Sequence, residues 1–108
     1  MVVWSNEAQV VHAVRKALLR EWPHAWVLKT AGSIYQEPGV PDLLVCVDGR
    51  MVGLEVKFQR AGESEAHARG RASVQQRVHI RRLLRAGGMA EVVLTPEEAV
   101  AVVRAALA

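Results

Sequence analysis

Three charged side chains, Asp42, Glu55 and Lys57, lie in or beside two apolar runs of the sequence. The dipeptide Asp48-Gly49 joins the two runs, and such a dipeptide between β-rich segments is typical of a two-residue hairpin turn. Counting outward from that turn places Asp42 opposite Glu55, and directly opposed Cβ atoms are about 5 Å apart. Lys57 lies on the same face as Glu55, because side chains alternate along a strand. One face of the hairpin is therefore predicted to carry two carboxylates and an ammonium group.

Two opposed carboxylates repel each other unless a cation lies between them, so this face predicts a site for a hard divalent metal ion. Mg²⁺ prefers oxygen ligands and needs neither cysteine nor histidine. A lysine beside the metal could orient a water molecule or help to remove its proton. The alternative is an exposed hairpin face, on which Glu55 and Lys57 form an ion pair and Asp42 is only a turn residue after Pro41. The apolar character of both runs favours the metal site.

Length and composition restrict the chain to one folded domain, residues 1–108. With 108 residues and 51% hydrophobic residues, the chain is too short for a second core and too apolar for a disordered protein. No apolar run approaches the ~18 residues of a membrane span, so we expect a cytoplasmic protein without a membrane partner. Cys46 is the single cysteine, which excludes an internal disulfide and a zinc site built from several thiolates. Its position in an apolar run predicts a buried side chain.

The positive charge is concentrated in one segment. The net charge is only +3, but residues 66–90 contain six arginines and no acidic residue. This asymmetry predicts contact with a polyanion such as nucleic acid, although a solvated helix face is the alternative. The arginines predicted to contact DNA phosphates are Arg69, Arg71, Arg77, Arg81 and Arg85.

The remaining pattern predicts an α/β domain with the order helix, strand, strand, strand, helix, strand, helix. Ser5 and Ser73 are suitable N-caps for the first two helices. The loop 31–41 contains Tyr35, which could stack on a base or pack within the loop. The polar segment 59–72 is predicted to be a flexible loop beside the site. The approximate bounds are 5–22, 73–86 and 95–108 for the helices, and 25–30, 40–47, 50–58 and 89–94 for the strands.

Two polar residues continue the apolar faces of predicted helices into their first turns. Glu7 is in register with Val11, and Gln76 is in register with Ile80. Each side chain would therefore point toward the edge of the core. For Glu7, periodicity leaves an equal alternative, which is an ordinary first-turn acid that complements the helix dipole.

Four short motifs together resemble the VRR-NUC branch of the PD-(D/E)XK nucleases. They are Gly39-Val40-Pro41-Asp42, Glu55-Val56-Lys57, Ser73-Val74-Gln75-Gln76 and the Gly87-Gly88 pair before the last strand. The Asp, Glu and Lys pattern alone occurs in many chains, whereas the added Gly-x-Pro and Ser-x-x-Gln elements are more specific. The resemblance covers nearly the whole chain. It implies a restriction-endonuclease-like core, in which helices flank a mixed four-stranded sheet.

The resemblance also implies a function, that of a Mg²⁺- or Mn²⁺-dependent DNA endonuclease. The implied metal ligands are Asp42, Glu55, the backbone carbonyl of Val56 and, through a water molecule, Glu7. The implied catalytic residues are Asp42, Glu55, Lys57 and Gln76. Small members of the family suggest a homodimer that cuts branched DNA such as four-way (Holliday) junctions. The alternatives are an inactive nucleic-acid-binding module, a structural subunit of a larger complex, and a nuclease of the same fold that cuts flaps or single strands.

Overall fold

The computed structural model describes residues 4–30 and 37–108, which contain four helices and four strands. The predicted α/β order is confirmed, with one short helix in addition. The helices are α1 (Glu7–Glu21), α2 (Glu65–Gly70), α3 (Val74–Arg85) and α4 (Pro96–Leu107), and the strands are β1 (Trp26–Lys29), β2 (Leu43–Val47), β3 (Arg50–Val56) and β4 (Met89–Val93).

The β2–β3 hairpin has the predicted register. Asp48 and Gly49 have φ angles of 49° and 79°, and positive values at both central positions are those of a type I′ turn. The antiparallel pairing runs from this turn to Leu43 opposite Leu54. Extending the same count by one residue on each strand brings the two predicted carboxylates opposite each other.

The four strands form one mixed sheet in the order β1-β2-β3-β4. The first three strands are antiparallel neighbours, and β4 runs parallel to β3. β3 therefore has a hydrogen-bonded strand on each side, and every residue from Val52 to Val56 in it is buried. A charged residue in this part of β3 must lie inside the protein.

One face of the sheet packs against α1 and α4. The alternation along β2, in which every second residue is fully buried, directs its apolar side chains to this face. The core on this side consists of apolar residues that are at most 5% exposed: Val10, Val11, Val14, Leu18, Leu43, Val45, Val47, Val52, Leu54, Val56, Val93, Ala99 and Val103.

The other face of the sheet is covered by α3, which has no fully buried residue. Leu83 of α3 reaches β3 because Gly53 has no side chain. A Cβ at Gly53 would lie 2.6 Å from Leu83 Cδ1 and 3.0 Å from Pro41 Cγ. A glycine inside a strand often marks such a close approach. The contact therefore sets how closely the last turn of α3 packs on β3.

Two predictions about helices are wrong. The N-cap of α1 is Asn6 and not Ser5, because the Asn6 side chain accepts a backbone N–H of the first turn. Residues 59–72 are not a loop throughout, since they contain α2 with Ser64 as its N-cap. This helix has six residues, of which only Ala68 is buried, so it leaves no amphipathic period in the sequence.

Cys46 is half-buried and not buried as predicted. It occupies an alternate position of β2, on the side of the sheet that α3 covers only in part. Tyr35 lies outside the described residues. In the described ranges, no helix is long and apolar enough to cross a membrane.

Candidate metal centre

Glu7, Asp42 and Glu55 meet at one end of the sheet. Each offers one carboxylate oxygen, and these oxygens lie within 4.8 Å of one another. Asp42 directly precedes β2, Glu55 is the last residue but one of β3, and Glu7 is the first residue of α1. The structure thus brings together the three predicted carboxylate ligands, two through the hairpin register and one through the first turn of a helix.

Backbone contacts hold Asp42 in place. Its Oδ2 accepts the N–H of Val56 at 2.8 Å, and its carbonyl oxygen accepts the N–H of Thr30 at 2.9 Å. The segment before it contacts α3 at Gly39, which has a φ angle of 88° and whose added Cβ would lie 2.5 Å from the carbonyl carbon of Gln75. Glycine alone suits both conditions, which explains the glycine of the Gly-x-Pro-Asp motif.

Glu55 is 1% exposed, and no other charged residue within the described ranges is buried. Its Oε2 accepts a hydrogen bond from Gln76 Nε2 at 2.9 Å and lies 3.3 Å from Lys57 Nζ. Its Oε1 has no hydrogen-bond partner among residues 4–30 and 37–108. A buried carboxylate oxygen without a partner costs free energy. Oε1 is therefore the atom of the cluster that a cation would satisfy most directly, and the donor set fits a metal ion.

The environment of the cluster raises the pKa values of two of its carboxyls. Burial, followed by the charge of Asp42 and hydrogen bonding to it, raises the pKa of Glu55 to about 8 against the opposing effect of Lys57. Burial is also the main cause that raises the pKa of Glu7, where Lys57 opposes it. The metal-free cluster therefore retains a proton at neutral pH, and a bound divalent ion would displace that proton.

Lys57 bridges two of the carboxylates. Its Nζ lies 3.3 Å from Glu55 Oε2 and 3.7 Å from Glu7 Oε1, and its side chain is 14% exposed. The alternation along β3 predicted this position. The ammonium group is therefore held at the cluster by two acids from different elements.

The first turn of α3 orients Gln76. Its side-chain Oε1 accepts the N–H of Ser73 at 2.7 Å, while Ser73 Oγ accepts the N–H of Gln76 at 3.1 Å. This is a capping box, in which two residues satisfy free donors at the start of the helix. Because Oε1 of Gln76 already accepts the backbone N–H of Ser73, its Nε2 is the end of the side-chain amide that faces Glu55. The Ser-x-x-Gln motif thus begins a helix and also directs a donor to the buried Glu55.

Three of the five arginines predicted to contact DNA have acceptors in the protein. Arg69 pairs with Glu98 and donates to a carbonyl oxygen of β4 at 2.9 Å. Arg71 lies 3.2 Å from Glu63. Arg77 donates to two carbonyl oxygens at and after the end of α2, at 3.1 and 3.2 Å. These contacts hold α2 against its neighbours. Most of the acceptors are backbone carbonyl oxygens, so the pairing of these arginines could not be predicted from the sequence.

Arg81 and Arg85 differ from those three arginines. Both are exposed on α3, and neither forms a hydrogen bond or an ion pair with a residue in the described part of the chain. Arg82 between them pairs with Glu37 at 3.2 Å. Arg81 and Arg85 are therefore the predicted DNA contacts whose charged groups are available, and contact with DNA stays a prediction for all five.

Two residues of this region, Gly53 and Glu98, form contacts that were not predicted from the sequence. Gly53 allows Pro41 and Leu83 to approach β3, and an isolated glycine inside a strand pattern was the available signal. Glu98 accepts the N–H of Leu94 at 2.7 Å and also pairs with the arginine of α2. The second of these contacts joins elements far apart in sequence, and it has no local signal.

Comparison with known proteins identifies the fold. No protein-family model and no curated protein matches the sequence. A solved structure described as "VRR_NUC domain" matches with a TM-score of 0.62 and 20% sequence identity, and the match covers 91% of this chain and 94% of that chain. The expectation drawn from the motifs is therefore confirmed at the level of architecture: this chain has the fold of a VRR_NUC domain, with a mixed four-stranded sheet flanked by helices.

Proposed function

We propose that the chain is a divalent-metal-dependent endonuclease of the VRR-NUC family, which hydrolyses phosphodiester bonds in DNA. The observation that carries this proposal is the cluster of Glu7, Asp42 and Glu55, with oxygens within 4.8 Å of one another, in a chain with the VRR_NUC fold. Lys57 lies against two of these carboxylates. Together they supply carboxylate oxygens for a divalent ion and a cationic group beside it, an arrangement suited to metal-dependent phosphodiester hydrolysis.

The proposed metal is Mg²⁺ or Mn²⁺, because the available donors are all oxygen atoms. Asp42 and Glu55 are the proposed direct ligands, together with the carbonyl oxygen of Val56, and Glu7 is proposed to reach the ion through a water molecule. Oε1 of Glu55, which is buried and lacks a hydrogen-bond partner among described groups, supports this assignment. Gln76 supports it too, because its hydrogen bond to Oε2 leaves Oε1 for the ion.

A bound divalent ion supplies Lewis-acid chemistry, which stabilises the negative charge that develops on the scissile phosphate. The proposed roles of the protein side chains are to orient the water molecule, to add positive charge and to hold the carboxylates in place. Lys57 orients the attacking water and adds a second positive group beside the phosphate. Gln76 and the backbone N–H of Val56 hold Glu55 and Asp42 in the required orientation. The expected products carry a 5′-phosphate and a 3′-hydroxyl.

Branched DNA, such as a four-way junction, is the proposed substrate, and a homodimer is the proposed active form. Two sites related by a two-fold axis would suit paired incisions across such a junction. Arg81 and Arg85 are the proposed phosphate contacts on the α3 side, because their guanidinium groups are exposed and arginine is a common phosphate-binding residue. A flap or a single strand is the alternative substrate.

The test is metal-dependent cleavage by the wild type and by Asp42→Asn. Labelled four-way junction, flap, linear duplex and single-stranded DNA are incubated with Mg²⁺, with Mn²⁺ or with EDTA. We expect the wild type to cut the junction with either metal and not in EDTA, and Asp42→Asn to cut nothing. Asparagine retains an oxygen that can accept the N–H of Val56, so the fold should survive the substitution.

Asp48→Asn is the matched control. Asp48 lies in the hairpin turn at the other end of β2, its side chain is 65% exposed, and asparagine is favoured in a type I′ turn. This variant should cut like the wild type. Full activity of Asp42→Asn would refute the proposed site. Absence of metal-dependent cleavage of all four substrates by the wild type would refute the proposed enzyme, and retained DNA binding would then indicate an inactive binding module.

A further inference from the structure

α1 carries positive charge that its own acids do not balance. Arg15, Lys16 and Arg20 are exposed, and none of them forms a hydrogen bond or an ion pair with another described residue. The helix has only two acids, Glu7 and Glu21, at its two ends, and each of them already pairs with a cation from another element. The outer side of α1 is thus a basic surface on the sheet face opposite α3.

Two of these cations line a groove between α1 and the first half of α4, which has a volume of ≈ 820 Å³. Gln9, His12, Lys16 and Arg20 form its α1 wall, and their spacing of three or four residues keeps them in one row about 16 Å long. The Oε1 of Gln9 accepts the N–H of Ser5 at 2.8 Å, which leaves the amide N–H groups of Gln9 for another partner. The wall is therefore a row of hydrogen-bond donors.

The remaining residues of the lining, on α1 and on the facing elements, are apolar or acidic. Trp4, Ala13, Ala17 and Val100 contribute apolar surface. Two acids line the groove: Glu21 of α1, which pairs with Arg104, and Glu97 on the α4 side, which has no ion pair with another described residue. An acidic amphipathic helix could use the same apolar surface. The donor row favours phosphate oxygens instead, because Arg, Lys and Gln side chains supply many phosphate contacts in complexes with DNA.

The groove also lies where a second part of the substrate would pass. α1 begins at the metal centre with Glu7, and Lys16 and Arg20 follow about 14 and 20 Å further along the helix axis. On the opposite face of the sheet, Arg81 and Arg85 lie about 10 and 16 Å from the start of α3. Two rows of available cations therefore lead away from the carboxylate cluster along opposite faces of the domain.

We propose that the groove between α1 and α4 binds the sugar-phosphate backbone of one arm of a branched DNA, while α3 contacts another arm. The branch point then lies at the carboxylate cluster. This inference rests on the proposed function for the identity of the substrate. The contact between the groove and phosphate, however, can be measured without any cleavage.

The test is the salt dependence of binding to a four-way junction in EDTA, where the metal is absent. The groove variant is Lys16→Gln/Arg20→Gln, and the matched control is Arg15→Gln/Arg50→Gln, which removes two exposed cations outside the groove. Each phosphate contact adds about 0.9 to the slope of log K against log salt. We expect the groove variant to lose about 2 from this slope and the control to keep the wild-type slope. Thermal unfolding should be similar for all three proteins.

Equal slopes for the groove variant and the wild type would overturn the proposal, as would equal losses in the two double variants. Either result is also what we would observe if the groove bound an acidic peptide and not DNA. A wild type that does not bind the junction would overturn it as well. Failure of the nuclease proposal is distinguishable, because a protein that cuts no DNA can still show the slope change, and a protein that cuts DNA can lack it.

Discussion

Glu55→Gln should stabilise the metal-free protein at neutral and alkaline pH. Glu55 is 1% exposed, and burial, together with Asp42, raises its pKa from 4.5 to about 8. In the unfolded chain the same carboxyl loses its proton near its ordinary pKa. Between these two values the folded protein binds more protons than the unfolded chain, so the free energy of unfolding falls as the pH rises from about 4.5 to about 8. Glutamine carries no charge and avoids this loss.

The size of the effect follows from the pKa difference. One pKa unit corresponds to ~1.4 kcal/mol. Ionisation of Glu55 in the unfolded chain, while the folded protein keeps the proton, therefore lowers the stability of the wild type by ~3 kcal/mol between pH 4.5 and pH 7, and the loss levels off at ~5 kcal/mol by pH 9. These are upper values, because water that enters the site would reduce them. The carbonyl oxygen of a glutamine can still accept the hydrogen bond from Gln76. The stability difference between the variant and the wild type should therefore be small at pH 4.5 and grow with pH.

The assay is urea unfolding in EDTA at several pH values between 4.5 and 9. Glu91→Gln is the control, because Glu91 is an exposed acid of β4 and its loss should not change the pH profile. In excess Mg²⁺ the difference between Glu55→Gln and the wild type should shrink or reverse, because only the wild type gains binding free energy. Parallel pH profiles for the wild type and Glu55→Gln would refute the inference that burial raises the pKa of Glu55 in the metal-free protein.

Three other substitutions test the contacts around the site, each by urea unfolding with one further readout. Gly39→Ala should cost ~2 kcal/mol or more and weaken Mn²⁺ binding, because its φ angle is 88° and the new Cβ would meet the backbone of α3. Gln76→Met should cost ~1–3 kcal/mol and lower Mn²⁺ affinity in calorimetry, because Glu55 loses its donor; Gln75→Met should do neither. Arg69→Met should cost ~1–3 kcal/mol, because a carbonyl of β4 loses its donor, and the salt slope of its DNA binding would show whether Arg69 also contacts a phosphate. If one of these variants were as stable as the wild type, the contact that it removes would not contribute to stability as argued.

The hairpin could be predicted to the residue because its determinants are local. The turn dipeptide sets the loop length, and period-two alternation then decides which side chains share a face. Asp42, Glu55 and Lys57 follow from that count alone. Glu7 was less certain, because a first-turn acid has an ordinary explanation, and only the packing of α1 against the sheet brings it to the cluster.

The segment 59–72 could not be predicted in the same way. Isolated helices as short as α2 are unstable, so its structure depends on tertiary contacts. Ala68 is its buried residue, and Arg69 binds Glu98, which lies 29 residues away in sequence. The basic residues there suggested contact with a polyanion, whereas their acceptors are largely carbonyl oxygens and acids of the same chain. A count of charges does not distinguish these two uses of arginine.

The two motifs that made the family resemblance specific turn out to be in contact. Gly39 packs on the backbone of Gln75, and the neighbouring Gln76 closes the capping box of α3 and donates to Glu55. The first turn of α3 therefore connects the segment that carries Asp42 with the strand that carries Glu55. These residues stabilise the fold and orient Asp42 and Glu55 through the same contacts. The buried Glu55 acts in the opposite direction, because its ionisation destabilises the metal-free fold, and a site of this kind should gain both stability and its active arrangement when the cation binds.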